Sequence, residues 1–355
     1  MNLDSGTQPQ WLTASRQRIY SISRTGYPDE SSESGGVFAF QRSKHSHPPR
    51  PPLRLLSAGS SNGEGGVHCD VSKTGKAFAA ANIEASTIAI YPVADDGSIG
   101  EATYREQYHL DKPGPGSNDS QIEAFPHQTQ FDPTGRFLFV CARGADRLYI
   151  YSVPSPHQVT QLQEIVLPPG TGPRHAAFGV FNATNTYMYL VGELDNTIRV
   201  YTISYGNEPS KLTVELHQTI STLGPGLPPT EPNSEYLAAD IVITDDGKFA
   251  YASSRGTTSL DSDTVAIYAI DDEASPEHHL TYLDSIETQG KIPRHLALSP
   301  DAESRYLAVL NEYTNDVVVF ERDVETGLMK ELKGTLHFGD PVYEARYGPS
   351  CILWR

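Results

Sequence analysis

The stretch HQTQFDPTGRFLFVCARGADRLYIY, residues 127–151, decides the fold of this chain, because related copies of it recur five more times. It places a histidine at the start of an apolar strand, then an Asp-Pro-Thr-Gly turn, an aromatic strand and a closing strand. Further copies start at Trp11, His68, Arg174, Ala239 and Arg294, the first of them degenerate. Alternating apolar and polar residues between such turns predict β-strands joined by hairpins.

The spacing of the copies predicts a β-propeller. Their closing aromatic residues fall roughly 50 to 67 residues apart, the period of a four-stranded blade; they are Phe40, Tyr91, Tyr151, Tyr201, Tyr268 and Phe320. We therefore predict an all-β chain in which residues 1–355 form a single β-propeller domain. It should contain six full blade repeats and a C-terminal stub starting near residue 341.

Composition agrees with this fold and limits the function. The chain of 355 residues is 38% hydrophobic, with 29 Gly and 26 Pro, which suits many short strands and turns. A net charge of −17 argues against general affinity for nucleic acid or an anionic membrane. With no apolar run approaching eighteen residues and a polar N-terminus, we expect a cytoplasmic enzyme without a signal peptide.

Three cysteines and three irregular segments complete the pattern. Cys69, Cys141 and Cys351 are too few for a disulfide framework, and we expect buried free thiols in strands. Residues 41–53, 111–124 and 223–235 are rich in Pro and Gly and should be loops. We expect the first to be an excursion between strands, and the other two to precede first strands and cover a substrate.

Two series of polar residues appear when the copies are aligned. The head of the first strand, which lines the channel of a propeller, carries Trp11, His68, His127, His175, Asp240 and His295. The end of the second strand carries Arg24, Asn82, Arg143, Glu193, Arg255 and Glu312. Arg174 and Arg294 precede two of the histidines. Rotational repetition should gather both series into one polar pocket.

The chemistry of this pocket favours an anionic ligand. Guanidinium groups match carboxylate or phosphate geometry and keep their charge at neutral pH. They oppose a metal cation, and no HxH or HExxH spacing occurs, so we expect neither a metal nor a cofactor. Purely structural roles remain open at this stage: histidines that bond to a neighbouring blade, and arginines such as Arg24 and Arg143 that pair with carboxylates.

Four strings carry a family resemblance: FPHQTQFDPTGRFLFV (125–140), GPRHAAFGVFNATNTYMYLVGELDNTIRVY (172–201), DDGKFAYASSRG (245–256) and PRHLALSP (293–300). From about Gln8 to Tyr347 the chain resembles lactonase-type propellers, which include 6-phosphogluconolactonases and fungal 3-carboxy-cis,cis-muconate lactonizing enzymes. In the muconate enzymes the proposed site has one histidine, two arginines and a glutamate. The resemblance places these at His127, Arg174, Arg255 and Glu193.

The same resemblance leaves the closure of the ring open. Family members begin with further strands that complete a seventh blade, whereas this chain begins at the Trp11 copy. We expect six blades with an irregular closure or an incomplete seventh blade. An unpaired edge there would favour dimerisation, so monomer and homodimer are both expected states.

Several functions remain possible. We favour a lactonizing cyclase in which Arg174 and Arg255, helped by Arg143 and Arg294, clamp a small anionic substrate, while His127 or Glu193 moves the proton. A sugar-lactone hydrolase is the alternative, followed by a repurposed cyclase or cycloaddition catalyst of secondary metabolism and a non-catalytic scaffold. We expect the remaining members to line the substrate site; they are Trp11, Arg24, His68, His175, Asp240, His295 and Glu312.

Overall fold

The chain is all-β and consists of antiparallel sheets. The computed structural model describes residues 5–42, 53–116, 119–180, 186–206, 208, 211–225, 235–256, 262–342 and 348–354. Within these residues lie six sheets of four strands, each joined to its sequence neighbour. A 3₁₀ helix at Pro276–His278 interrupts the strands. The prediction of an all-β fold with six blades is confirmed.

The chain divides into two compact units, and the first comprises residues 1–114 and 119–167. It holds three blades. Blade 1 contains β1 (Thr7–Ser15), β2 (Arg18–Thr25), β3 (Ser34–Arg42) and β4 (Leu53–Glu64). Blade 2 contains β5 (Gly66–Val71), β6 (Ala77–Asn82), β7 (Thr87–Pro92) and β8 (Tyr104–Gln107). Blade 3 contains β9 (Pro126–Phe131), β10 (Phe137–Ala142), β11 (Arg147–Ser155) and β12 (Gln158–Val166).

The second unit comprises residues 115–118 and 168–355 and also holds three blades. Blade 4 contains β13 (Pro173–Val180), β14 (Thr186–Gly192), β15 (Thr197–Tyr205) and β16 (Leu212–Ser221). Blade 5 contains β17 (Leu237–Ile243), β18 (Phe249–Arg255), β19 (Thr264–Ile270) and β20 (Leu280–Glu287). Blade 6 contains β21 (Pro293–Leu298), β22 (Tyr306–Asn311), β23 (Asp316–Arg322) and β24 (Met329–His337).

The second strands form the core, because both of their faces are buried. In β6, Ala79 and Ala81 pack towards blade 3, whereas Phe78 and Ala80 pack towards blade 1. In β22, Leu307 packs towards blade 5, while the next residue faces the other way. Successive side chains of a strand point to opposite faces, so each central strand contributes to two adjacent cores.

The predicted Asp-Pro-Thr-Gly hairpin owes its shape to one carboxylate. Asp132 Oδ1 accepts the backbone N–H groups of Arg136 at 2.9 Å and Phe137 at 2.8 Å, and its Oδ2 accepts that of Thr134 at 2.9 Å. This pattern is an aspartate-stabilised turn, and it sets the register in which β9 and β10 pair.

The loops lie between the strands as predicted. Residues 41–53 span the connection from β3 to β4, and 111–124 and 223–235 precede the first strands of blades 3 and 5. Residues 43–52, 117–118 and 226–234 are outside the described residues, so cover of a substrate stays a prediction. Cys69 and Cys141 are buried free thiols in strands as expected. Cys351 differs, because it is partly exposed and lies outside the strands.

The C-terminal segment covers the last blade. Ile352 and Trp354 pack against Ala308, Leu310 and Val317, on the face of blade 6 that is turned away from blade 5. The indole Nε1 of Trp354 donates to the Ala297 carbonyl at 3.0 Å. The predicted stub therefore serves as a hydrophobic cover, and residues 348–354 contain no strand. Residues 343–347 of this segment are outside the described residues.

A carboxylate on the first strand of blade 2 links three blades. Asp70 Oδ2 accepts the backbone N–H of Phe131 in blade 3 at 2.8 Å, and Oδ1 lies 3.5 Å from the Thr13 hydroxyl in blade 1. Burial raises the pKa of Asp70 to about 7, although these hydrogen bonds oppose the shift. The folded protein therefore holds a proton here that the unfolded chain releases near pH 4.

This linkage predicts a pH-dependent stability that Asp70→Asn removes. Because the folded pKa lies above the unfolded one, the contribution of Asp70 is present below about pH 4 and is lost as pH rises towards 7. Between pH 4 and 7 the unfolding free energy of the wild type should fall relative to the variant, by roughly 2 to 4 kcal/mol. Urea denaturation at several pH values measures this difference.

Asp323→Asn is the matched control. Hydrogen bonds led by the Thr326 backbone N–H lower the pKa of the exposed Asp323 to about 2, so its own contribution changes only below about pH 5. Parallel stability curves for the wild type and Asp70→Asn between pH 5 and 7 would contradict the predicted proton uptake.

Candidate active site

The two predicted polar series lie at the same end of their blades. In each antiparallel pair, the start of the first strand lies opposite the end of the second: Gly66 pairs with Asn82, Pro173 with Gly192 and Leu237 with Arg255. First-series residues lie one to four positions into their strands, and second-series residues lie within one position of the strand end. The sequence alignment therefore located the correct end of each blade.

In the second unit, one carboxylate holds two arginines. Glu193 Oε2 lies 3.1 Å from Arg174 Nε, and Glu193 Oε1 lies 2.7 Å from Arg255 Nη2. Arg174 Nη1 also donates to the Ala239 carbonyl. Arg174 and Glu193 are 1% and 3% exposed, so this pairing is buried. Three of the four residues that the resemblance singled out are thus in direct contact.

A second ion pair lies in the neighbouring blade. Arg294 Nη1 lies 3.1 Å from Glu312 Oε2, and the glutamate side chain is only 1% exposed. The arginine side chains of Arg255 and Arg294 are 12% and 13% exposed. In both pairs the carboxylate is therefore internal and the guanidinium is the group that solvent reaches.

The buried Arg174 lies close to two other arginines. Burial lowers the pKa of Arg174 to about 9, the charges of Arg255 and Arg294 lower it further, and Glu193 counteracts them. A pKa near 9 leaves Arg174 cationic at neutral pH. An additional anion would relieve the repulsion among these three guanidinium groups.

Asp240 stands where four of the other five copies carry histidine, and it bridges the three blades of this unit. Its Oδ1 lies 2.8 Å from His175 Nδ1 in blade 4. Its Oδ2 accepts the backbone N–H of Leu296 in blade 6 at 2.8 Å and lies 3.9 Å from His295 Nε2. Burial raises the pKa of Asp240, against the opposing charge of His295. These contacts hold two histidines of the first series in fixed orientations.

Burial favours the neutral form of both histidines. Burial lowers the pKa of His175 well below its ordinary value, with the charge of Arg174 acting in the same direction. Burial also lowers the pKa of His295, whose Nδ1 accepts the Ile352 backbone N–H at 3.1 Å. The C-terminal cover therefore fixes which nitrogen of His295 carries the proton.

A glycine follows the arginine at the end of β18. Gly256 has φ +80°, and a Cβ there would lie 2.1 Å from the Glu235 carbonyl oxygen. Only glycine fits this position without displacing backbone. The sequence Ser-Arg-Gly thus ends the strand immediately after Arg255 and places that arginine at the blade end.

The first unit holds the remaining predicted residues. The rings of Trp11 and His68 lie 4.3 Å apart between blades 1 and 2. Arg24 pairs with Glu84 of the next blade, as the structural alternative allowed. His127 is 6% exposed on β9, and the Arg143 guanidinium lies over the Phe125 ring at 5.6 Å from its centroid. Functional roles for these residues stay predictions.

Sequence reasoning missed three residues that hold the polar series together. Glu84 pairs with Arg24, and Asp70 links blades 1 to 3. Ser253 accepts the backbone N–H of Asp240 at 3.2 Å. Only Asp70 had a signal in the sequence: it lies two positions after His68, on the same predicted strand. Alignment of the copies shows equivalent positions but not contacts, so it does not reveal such partners, whether they lie in an adjacent blade, as Glu84 does, or on the next strand, as Ser253 does.

A search of the described residues finds no group of three His, Cys, Asp or Glu side chains arranged to hold a metal ion. In the same part of the chain, no helix is long and apolar enough to span a membrane.

Comparison with known proteins identifies the family. A family model described as "Lactonase, 7-bladed beta-propeller" matches residues 1–354. An Arthroderma benhamiae protein named "Probable 6-phosphogluconolactonase" is 29% identical, over 99% of this chain and 81% of its own length. The Bacillus subtilis 6-phosphogluconolactonase is 26% identical, over 91% and 82% of the two chains.

A solved structure shares the fold. The periplasmic gluconolactonase of Pseudomonas aeruginosa superposes with a TM-score of 0.76 at 21% identity, covering 94% of this chain and 86% of that one. The resemblance inferred from the sequence strings is therefore confirmed.

Because the Arg174–Glu193 ion pair is buried, we predict that neutralising its carboxylate strongly destabilises the folded protein. Glu193→Gln would leave the buried Arg174 charge without its counterion, so the unfolding free energy should fall by about 3 to 5 kcal/mol. Glu303→Gln, which disrupts an exposed pair with Arg305, should change it by less than about 1 kcal/mol. Urea denaturation at pH 7 compares the two variants. Equal, small effects would show that the Glu193 carboxylate does not stabilise this cluster.

Proposed function

The chain belongs to the lactonase family of seven-bladed β-propellers, and we propose that it is a cofactor-independent hydrolase that opens a small anionic lactone. The proposed site is the cluster of Arg174, Glu193, Arg255 and Arg294 in the second unit. The names of the curated relatives support a phosphorylated sugar lactone, 6-phosphogluconolactone, as the first substrate to test.

One observation carries the proposal: a ligand reaching this cluster meets guanidinium groups. The side chains of Arg255 and Arg294 are partly exposed, whereas the carboxylates that hold them, Glu193 and Glu312, are 3% and 1% exposed. Guanidinium forks bind carboxylate or phosphate with two parallel hydrogen bonds. The ion pairs also restrict the arginine rotamers, so less conformational entropy is lost when substrate binds.

The cluster supplies the groups that ester hydrolysis needs. A guanidinium N–H from Arg255 would bind the lactone carbonyl oxygen and stabilise the negative charge that develops there. Glu193 would accept a proton from the attacking water through Oε1, the oxygen that faces the partly exposed Arg255, as the new carbon–oxygen bond forms. Collapse of the tetrahedral intermediate breaks the ring ester bond, and the same proton passes from Glu193 to the departing alkoxide oxygen. The product is an open-chain hydroxy acid.

The comparisons favour hydrolysis over the lactonizing cyclase that the sequence analysis preferred. The three relatives that support the proposal are named 6-phosphogluconolactonases, and the similar solved structure is a gluconolactonase. Arginine clamps and a proton-transferring carboxylate serve both ring opening and ring closure, which explains why residue types alone did not separate the two reactions. No observation on the described residues supports the secondary-metabolism or scaffold alternatives.

A substrate comparison tests the proposal. Proton release from 6-phosphogluconolactone should exceed its spontaneous hydrolysis, and glucono-δ-lactone, which lacks the phosphate, should give a much lower kcat/KM because one anionic contact is missing. Loss of the conjugated diene of 3-carboxy-cis,cis-muconate, followed in the ultraviolet, tests the cyclase. Turnover of the muconate without turnover of either lactone would overturn the hydrolase proposal.

Arg255→Gln is the sharpest variant. Arg255 is less buried than Arg174, so its loss should reduce kcat/KM by about 100-fold or more without unfolding the protein. Arg305→Gln removes an exposed arginine of blade 6 that is also paired with a glutamate, and it should retain wild-type activity. Wild-type kcat/KM in Arg255→Gln would remove Arg255 from the site.

A further inference from the structure

A cavity lies at the opposite end of blades 1 and 2 from the polar series. It has a volume of about 310 Å³ and is formed by the β1–β2 turn, the β5–β6 turn and the segment after β7. The residues that line it include Ser15, Arg16, Arg18, Tyr20, Lys76 and Asp95. Its size suits a small metabolite, and the proposed lactone hydrolysis makes no use of it.

The lining of this cavity is basic in an otherwise acidic protein. Three cationic side chains, Arg16, Arg18 and Lys76, face one carboxylate, Asp95, which is paired with Lys76. The neighbouring Asp96 is engaged elsewhere, because its Oδ1 accepts the Ser98 backbone N–H at 2.9 Å and the Ser98 hydroxyl. Three cations therefore lie near two carboxylates, Asp95 and Asp96, and one positive charge remains in excess.

Arg18 is held in place by the backbone. Its Nε donates to the Asp96 carbonyl at 2.7 Å, and its side chain lies across Gly97. A Cβ at Gly97, where φ is +89°, would lie 2.5 Å from that Nε, so the glycine leaves the room that the arginine occupies. Among the described residues, the terminal amino groups of Arg18 and the guanidinium of Arg16 form no hydrogen bond or ion pair. Both can donate to a ligand.

A buried phenol also lines the cavity. Tyr20 is 2% exposed, and its hydroxyl lies within electrostatic range of Arg18, Arg16 and Asp96. Burial raises the pKa of Tyr20, so the hydroxyl keeps its proton and can donate it in a hydrogen bond. Within the described part of the chain this hydroxyl has no hydrogen-bond partner. The hydroxyl lines the cavity and can therefore donate to a ligand or to water there.

We propose that this cavity binds the phosphate group of a small phosphate monoester, through Arg16, Arg18, Lys76 and the Tyr20 hydroxyl. A monoester carries close to two negative charges at pH 7 and three strong acceptor oxygens. These oxygens match the remaining N–H donors of two guanidinium groups and a phenol better than a single carboxylate does. The site is distinct from the proposed lactone site, because it is formed by residues of blades 1 and 2, whereas the lactone site consists of residues of blades 4 to 6.

Titration calorimetry with inorganic phosphate at low ionic strength tests this site. We expect binding in the millimolar range or tighter, weakened at least about tenfold in Arg16→Gln and several-fold in Tyr20→Phe. Arg54→Gln, which removes an exposed arginine that does not line the cavity, should bind as the wild type does. Glycerol 3-phosphate should bind at least as tightly as phosphate, because the site should accept a monoester.

Phosphate can also bind at the proposed lactone site, so Arg255→Gln separates the two. Phosphate binding that survives Arg255→Gln and is lost in Arg16→Gln supports the cavity, and lactone turnover should stay unchanged in Arg16→Gln. Binding that is lost in Arg255→Gln but retained in Arg16→Gln, or no binding up to about 50 mM, overturns the proposal. Neither result bears on whether the protein hydrolyses lactones.

Discussion

Blades 2 and 5 of this protein are apolar on both faces, so each depends on a neighbouring blade on either side. The β6 strand shows the constraint directly, since Phe78 and Ala79 are adjacent in the chain and belong to different cores. Repeat proteins share this dependence, because a single supersecondary unit has too little partner surface for its hydrophobic side chains. Within the second unit the last face is covered by Ile352 and Trp354 instead of by a further sheet.

The middle blade of each unit adds a polar link to this hydrophobic stacking. Asp70 in blade 2 and Asp240 in blade 5 each lie on a first strand and accept a backbone N–H from the following blade, at 2.8 Å in both cases. Each also reaches a side chain of the preceding blade, Thr13 or His175. Burial raises the pKa of both carboxyl groups, so ionising them inside the protein is unfavourable. Their hydrogen bonds need good geometry to offset this desolvation.

In the candidate site, carboxylates hold several positively charged guanidinium groups close together. Glu193 serves two guanidinium groups at once, and the resulting cluster keeps its carboxylates inside and its cations partly accessible. Such a cluster contributes less to stability than apolar packing of the same volume would, because desolvation offsets most of the Coulomb attraction. Its value lies in orientation: arginines held in fixed positions can bind an anion and stabilise charge without rearrangement.

The sequence alone determined the strands, the six-blade repeat and the blade end at which Arg174, Glu193 and Arg255 lie. These follow from local rules, since alternation, turn residues and the position of a residue along its strand are all visible within one copy. Tertiary structure decided the partners that come from another blade, because such contacts depend on the spacing and twist between sheets. Hence Glu84 opposite Arg24, and Asp240 between His175 and Leu296, could be recognised only in three dimensions.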